Sequence, residues 1–287
     1  MGTKRKTKKE GRRIKTLPPI SRVAPYIMKT RQDASNSLGD SLEIGKCDEF
    51  IYKKREQGLK GFGMLHLFIA AYIRILSQRP ALNRFIRGQQ IFARNCVEIM
   101  LTIKKEMKIE SPDTVLKLFF PIDATSDQVY KIITEAIEAS RAEESEFDNL
   151  AKVFNYIPGL FLKFTVWLLN LLDYFGLIPR SLTKLSPFHG SFAITSMGSL
   201  GIPPVYHHLY DFGNIPVFCA FGAKYTKNEL QLDGSVKQFK YVDYKFTTDE
   251  RICDGHYFAA AFKLFKTIMK DPQCLDLPPE TVVEEIP

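Results

Sequence analysis

The chain has 287 residues, 45% hydrophobic and 25% charged, which is enough apolar material for a large core and too much for a disordered chain. Its net charge of +8 is concentrated at one end: residues 1–15 hold eight Lys or Arg (Lys4, Arg5, Lys6, Lys8, Lys9, Arg12, Arg13, Lys15) against Glu10, which leaves the rest nearly neutral at +1. A basic tail on a neutral body is not the broad basic face of a nucleic-acid-binding domain, so no nucleic-acid partner is expected. Residues 1–19 read as a solvated, flexible basic arm ending in the rigid Leu17-Pro18-Pro19 linker, with attraction to anionic lipid as the sharper reading. Residues 20–287 are expected to form a single domain. The tail lacks the apolar stretch of a signal peptide, and Cys47, Cys96, Cys219, Cys253 and Cys274 show no C-x-x-C spacing. Both features predict a cytoplasmic chain with reduced thiols and no zinc site.

Taken in order, Ser21 to Gln32 predicts a short helix with Pro25 near its first turn, and Ser37 to Ile44 a strand. Asp48 is placed to cap a helix running to about Gln57. After a loop over Gly58 to Gly63, the apolar spacing of Leu65, Phe68, Ile69, Tyr72, Ile73 and Leu76 predicts a core helix over Met64 to Ser77, stopped near Pro80. Ala81 to Phe85 and then Gln90 to Lys104 read as a hairpin or meander, and Val115 to Phe120 as a strand. Ser126 opens a helix that ends in the solvated acidic run Glu143 to Glu146.

Ile157 to Ile178 is the most apolar segment, interrupted by Lys163, Asn170 and Asp173, which share one side of a helical wheel. With Pro158, Lys163, Asp173 and Pro179 it makes a poor spanning helix and reads first as an almost fully buried core helix. A functional reading makes it the wall of an acyl-chain tunnel or a contact with a membrane surface beside the basic tail. Gly190 to Gly201 and Asn214 to Lys224 each read as containing a strand. Asp233-Gly234 is a hairpin turn leading into a strand that reaches Thr247.

The most informative stretch follows: Thr248-Asp249-Glu250-Arg251-Ile252-Cys253-Asp254-Gly255, then a helix with Phe258, Ala261, Phe262, Phe265, Ile268 and Met269 on one face. Asp254-Gly255 reads as a tight strand-to-helix turn, with Gly255 at the position that must bend.

Here the chain resembles the trimeric coenzyme A-dependent acyltransferases, namely chloramphenicol acetyltransferase and the catalytic domain of the dihydrolipoamide acyltransferases. These carry H-x-x-x-D-G at such a turn, in the lipoamide branch often as D-H-R-x-x-D-G. This chain reads D-E-R-I-C-D-G, a degenerate form with Glu250 where the family has its catalytic His. Pro80-Ala81-Leu82-Asn83 is similar to the family's P-x-L-N segment. Gly190-Ser191-Phe192-Ala193-Ile194-Thr195-Ser196-Met197-Gly198 resembles G-T-F-T-I-S-N-L-G, and Asn214 to Lys224 resembles N-P-P-Q-A-A-I-L-G-V-G-A. The resemblance runs from about Ile20 to Pro272.

It implies an α/β fold, a two-layer sandwich of helices on a large mixed β-sheet, and a homotrimer with active sites between subunits. It also implies acyl transfer from acyl-coenzyme A to a thiol or hydroxyl acceptor, with no metal. No lipoyl domain is expected in this chain. Position by position, Glu250 becomes the base, Thr195 the oxyanion donor from a neighbouring subunit with Ser196 beside it, and Asp254 the structural aspartate. Arg22 is a candidate partner for Asp254, and His256, just after Gly255, is an alternative base. A carboxylate is a weaker base than imidazole at neutral pH unless burial raises it. The competing expectation is therefore an inactive trimeric scaffold or ligand-binding protein that has lost the catalytic His.

Overall fold

The computed structural model describes residues 10–104, 113–142 and 156–287. The acidic run Glu143 to Glu146 and the first nine residues of the basic segment lie outside that set.

The chain has a mixed α/β architecture built on two long strands. β8 (Val217–Leu230) and β9 (Val236–Asp249) pair antiparallel through the Asp233-Gly234 turn. Gly234 sits there at φ 81°, and Asp233 Oδ1 accepts the Ser235 N–H at 2.9 Å. This is the left-handed position at which glycine costs nothing. Around this pair a six-stranded sheet grows in the order β2-β9-β8-β7-β5-β6, with β2 (Ser35–Glu43), β5 (Val97–Lys104), β6 (Asp113–Phe120) and β7 (Phe192–Ser196). The short β7 runs parallel to both its neighbours, and every other pair is antiparallel. A smaller sheet, β1-β4-β3, is made from β1 (Gly11–Arg13), β3 (Arg84–Arg87) and β4 (Gln90–Arg94).

Helices cover one face of the large sheet. α3 (Met64–Gln78) presents Leu67, Phe68, Ala71, Tyr72 and Ile75 to the core. It is flanked by α2 (Gly45–Glu56), α4 (Ser126–Ala142) and α7 (Gly255–Lys270), which adds Phe258, Ala261, Phe265, Ile268 and Met269. Alternation along β9 sends Val242, Tyr244 and Phe246 into this core and Lys245 and Thr247 to the other face. His66 is buried in α3, where its Nδ1 accepts the Gly63 N–H at 3.1 Å. This satisfies one backbone donor of the helix's first turn.

Several expectations are corrected. Asp48 lies inside α2, which starts at Gly45, and its buried carboxylate pairs with Lys224 instead of capping the helix. β3 and β4 pair as a hairpin within the expected hairpin or meander, but the stretch does not run on as one meander, because β4 stays in the small sheet while β5 enters the large one. Part of the segment expected as a flexible tail is built into the fold: Gly11–Arg13 is β1, and Glu10, Ile14 and Leu17 are buried.

The largest correction concerns the greasy segment. Beyond α1 (Pro19–Ile27), which follows the small sheet's first strand, this segment forms α5 (Gly159–Tyr174), followed by α6 (Arg180–Leu185). α5 buries no residue fully; Phe161 is 67% exposed and Trp167 56%. Its hydrophobicity therefore does not come from a place in the core.

Candidate active site

β9 ends at Asp249, whose N–H bonds Pro216 O at 2.8 Å, and the chain then turns through Glu250 and Arg251 toward α7. Three arginines clamp this turn. Arg251 folds back on Asp249 in a bidentate pair, Nε to Oδ1 at 2.8 Å and a terminal nitrogen to Oδ2 at 2.7 Å. Its other terminal nitrogen donates to Met28 O at 3.2 Å and Lys29 O at 3.3 Å. Arg31 lies 3.9 Å from the same carboxylate and donates to the carbonyls of Tyr210 (2.7 Å), Asp211 (3.0 Å) and Gly213. Arg84 donates to Ile252 O at 3.1 Å while held bidentate by Glu285 at 2.9 and 2.7 Å.

Asp249, Arg31 and Arg251 are all buried, so the cluster takes charges out of water and needs every partner. Burial pushes Arg31 down to about 10 against the pull of Asp249, which leaves it cationic at neutral pH.

Glu250 stands at the tip of the turn. Its N–H is fixed to Ala34 O at 2.9 Å, and its exposed side chain accepts one hydrogen bond, from Asn36 Nδ2 to Oε2 at 2.9 Å. No cation pairs with it among the described residues. Asp254 is the N-cap of α7, its Oδ1 accepting the Tyr257 N–H at 2.8 Å. Among the described residues it meets no arginine, and Arg22 stands exposed on α1 without an ion pair there. The expected Asp–Arg pair of the turn is made by Asp249 instead.

Gly255 is the first residue of α7, its φ is not positive, and a Cβ there would meet nothing within 4 Å. The bend lies over residues 250–253, so glycine is not required at 255 by anything in the single chain. His256 is exposed in the first turn of α7 and makes no hydrogen bond among the described residues.

Thr195 and Ser196 end β7, half-buried, with hydroxyls that make no hydrogen bond among the described residues. Register fixes their distance from the turn. Thr195 is level with Ala220 on β8 and Lys245 on β9, two strands across, and Glu250 lies five residues further along β9. At ~3.3 Å per residue and ~4.8 Å per strand, Glu250 and Thr195 are about 20 Å apart. Within one chain, Glu250 and Thr195 are therefore too far apart to meet at one atom.

Strand alternation puts Thr195 on the sheet face away from the helices, with Ala193, Phe218 and Lys245. The Lys245 ammonium lies 3.7 Å from the Tyr206 ring there. An apolar cavity of about 170 Å³ opens on this face, lined by Met100, Ala193, His207, Leu209, Phe212 and Phe218. His207 stacks on Phe218 at 3.8 Å, and burial lowers its pKa. His189 is buried between Ser186 (2.8 Å) and Asp173 (3.2 Å), a place that holds α5 to the sheet.

Nothing in the sequence marks Asn36, which folding alone brings across from β2. Asp249 was within reach of sequence reasoning: on an extended chain, residues two apart share a face, which pairs Asp249 with Arg251 and keeps Glu250 apart from it.

No protein-family model matches the chain, and no curated protein matches it. Among solved structures, a probable dihydrolipoamide acetyltransferase from Listeria monocytogenes is similar, with a TM-score of 0.57 at 14% identity over 89% of this chain and 94% of that one. The cubic core of the pyruvate dehydrogenase multienzyme complex gives 0.56 at 13% identity over 91% of this chain and 93% of that one. A chloramphenicol acetyltransferase gives 0.53 at 12% identity over 90% of this chain and 99% of that one. With its large mixed sheet, one helix-covered face and near-complete overlap, the chain has the fold of the chloramphenicol acetyltransferase-like coenzyme A-dependent acyltransferases.

Proposed function

We propose that the protein is a coenzyme A-dependent acyltransferase that works as a homotrimer, moving an apolar acyl group from acyl-coenzyme A to a thiol or hydroxyl acceptor. Glu250 takes the acceptor's proton, and Thr195 of a neighbouring subunit donates its hydroxyl to the oxyanion, with Ser196 beside it. The observation that carries this reading is that no cation among the described residues pairs with Glu250. The adjacent Arg251 is committed to Asp249, and Asn36 holds one carboxylate oxygen and leaves the other open. The separation of about 20 Å between Glu250 and Thr195 supports a site completed between subunits. The open space over Gly255 leaves room for an approaching chain or substrate. The apolar cavity on the Thr195 face suits a short hydrocarbon chain, and the five free cysteines suit a reducing, cytoplasmic setting.

A second reading rests on the exposed carboxylate of Glu250 standing where the family has its catalytic His: a trimeric scaffold or ligand-binding protein without turnover. The two are separated by incubating the full chain with acyl-coenzyme A donors of graded length and thiol or alcohol acceptors. Free coenzyme A is followed in parallel with calorimetric binding of coenzyme A. Acceptor-dependent release supports the transferase, whereas absence of both binding and release from every donor supports the scaffold.

A further inference from the structure

Lys163, Asn170 and Asp173 gather on one side of α5, and Leu162, Thr165, Leu169 and Leu172 are half-covered. The remaining arc is a stripe at helical spacing, Leu160, Phe164, Trp167, Leu168, Leu171 and Phe175, with Phe161 alongside. All seven are exposed, from Leu168 at 37% to Leu160 at 85%. Monomeric soluble proteins rarely leave so continuous an apolar surface open, so the stripe calls for an occupant.

Among the described residues, the polar contacts that hold the helix to the rest of the fold lie at its C-terminal end. Asp173 reaches Arg87 at 3.4 Å and His189 at 3.2 Å, and the Tyr174 hydroxyl reaches Gln89 at 3.1 Å. Among the described residues, the polar side chains of residues 159–170 bond nothing outside the helix. Sixteen residues make about 24 Å, short of a ~30 Å hydrocarbon core, and the polar side disfavours spanning. Such a helix lies in an interface instead of crossing it.

Charge selects the occupant. Glu10, where the basic N-terminal segment joins the fold, lines the same recess as Arg87, Tyr174, Phe175 and Arg180. Eight of the first fifteen residues are basic, three of them (Arg12, Arg13 and Lys15) among the described residues just after Glu10. Arg12, Arg13, Lys15, Lys163 and Lys184 add exposed cations on and around the same elements. A second copy docked on the stripe would set this segment against its own likeness. An anionic bilayer matches both features.

We propose that α5 docks in the plane of an anionic membrane, with the Leu160-to-Phe175 stripe at the acyl–headgroup boundary and Arg12, Arg13, Lys15, Lys163 and Lys184 presenting cations to the lipid headgroups. This contact does not depend on the acyl-transfer reading. Trp167 is the single tryptophan of the chain and sits within the stripe, so the unmodified protein reports on its own docking.

The full chain is titrated with phosphatidylcholine vesicles with and without phosphatidylserine. Trp emission and co-sedimentation are followed, and the titration is repeated at raised salt. The expected result is a blue shift with phosphatidylserine vesicles, binding at least about tenfold tighter than to phosphatidylcholine alone, and weakening with salt. The triple variant Phe161→Gln, Phe164→Gln, Leu168→Gln is expected to lose the shift while keeping the parent circular dichroism, because all three side chains are exposed. No shift and no sedimentation with either vesicle would overturn the proposal. So would equal binding to both lipids, or a concentration-dependent shift without lipid accompanied by doubling of the assembly mass.

Discussion

Arg251 closes on Asp249, two residues back, with Nε 2.8 Å from Oδ1 and a terminal nitrogen 2.7 Å from Oδ2. The pair is buried and shares its carboxylate with Arg31, 3.9 Å away. Through these two arginines the end of β9 is tied to the Tyr210–Gly213 carbonyls and to Met28 and Lys29. Asp249 is therefore the structural aspartate of the turn, and Glu250, pointing the other way, is spared a guanidinium.

Removing the shared carboxylate strands two buried cations. Asp249→Ala is expected to lose about 3–5 kcal/mol of stability, the cost of breaking a buried ion pair on one side. Urea unfolding by circular dichroism measures it. A loss under about 1 kcal/mol would mean that the arginines find other partners and that the clamp is not structural.

The separation of Glu250 from Thr195 in one chain gives a prediction that does not need the acceptor's identity in advance of a working assay. Glu250→Gln and Thr195→Val are each expected to be inactive, since one loses the base and the other an oxyanion donor worth about 10²–10³-fold. Subunits of the two variants, unfolded and reassembled together in equal amounts, regain about a quarter of wild-type activity, because a site between subunits then pairs two intact halves with that frequency. Mixtures that stay as inactive as their parents would place both groups' work within one chain.

His66 supplies a pH signature of the fold. Burial lowers its pKa to about 4 from an ordinary value of 6.5, and the Gly63 N–H bonded to its Nδ1 requires the neutral ring. The unfolded chain binds this proton at a higher pH than the folded one does. Stability is therefore complete above about pH 6.5 and falls as pH drops from 6.5 toward 4, by up to about 3 kcal/mol. Unfolding free energies at steps across this window are expected to fall more steeply in the parent chain than in His66→Asn, which keeps an acceptor without a titrating group. Equal slopes in the two proteins would assign the loss to other groups.

The acid limb below that window belongs to the polar network around the small sheet. Burial alone would raise Glu98, but Lys117 and Arg94 outweigh it and hold its carboxyl below the usual range. Asp173 is likewise lowered, burial being outweighed by His189 and Arg87. Depressed carboxyls contribute stability above their unfolded values and lose it as pH falls through their folded ones. The parent protein is therefore expected to keep losing stability below about pH 4, and Glu98→Gln to be weaker at pH 7 but flatter in acid. A variant as steep as the parent would contradict this account.

The sheet and its helical cover were readable because period and turn chemistry agree locally. The alternation along Val236–Asp249, the Asp233-Gly234 turn and the apolar face of Met64–Gln78 each mark one element without outside help. The turn motif marked Glu250, Asp254 and Gly255 by position, but not their surroundings. Asn36 reaches Glu250 across 214 residues, and Arg31 reaches Asp249 across 218, so neither partner leaves a local signal. α5 was misread for a physical reason. Apolar periodicity marks one apolar face, and a face left open on the surface carries the same pattern as one packed into a core. Glu10 was hidden by its eight basic neighbours in sequence, although folding makes it the buried partner of Arg87 and Arg94.

The most direct test of the central claim is release of free coenzyme A by the intact protein beside Glu250→Gln, with coenzyme A binding measured on both. The account predicts that release from at least one donor falls by about 10²–10⁴-fold in the variant while binding is unchanged. Equal release by the two proteins would contradict it and move the proton transfer away from Glu250.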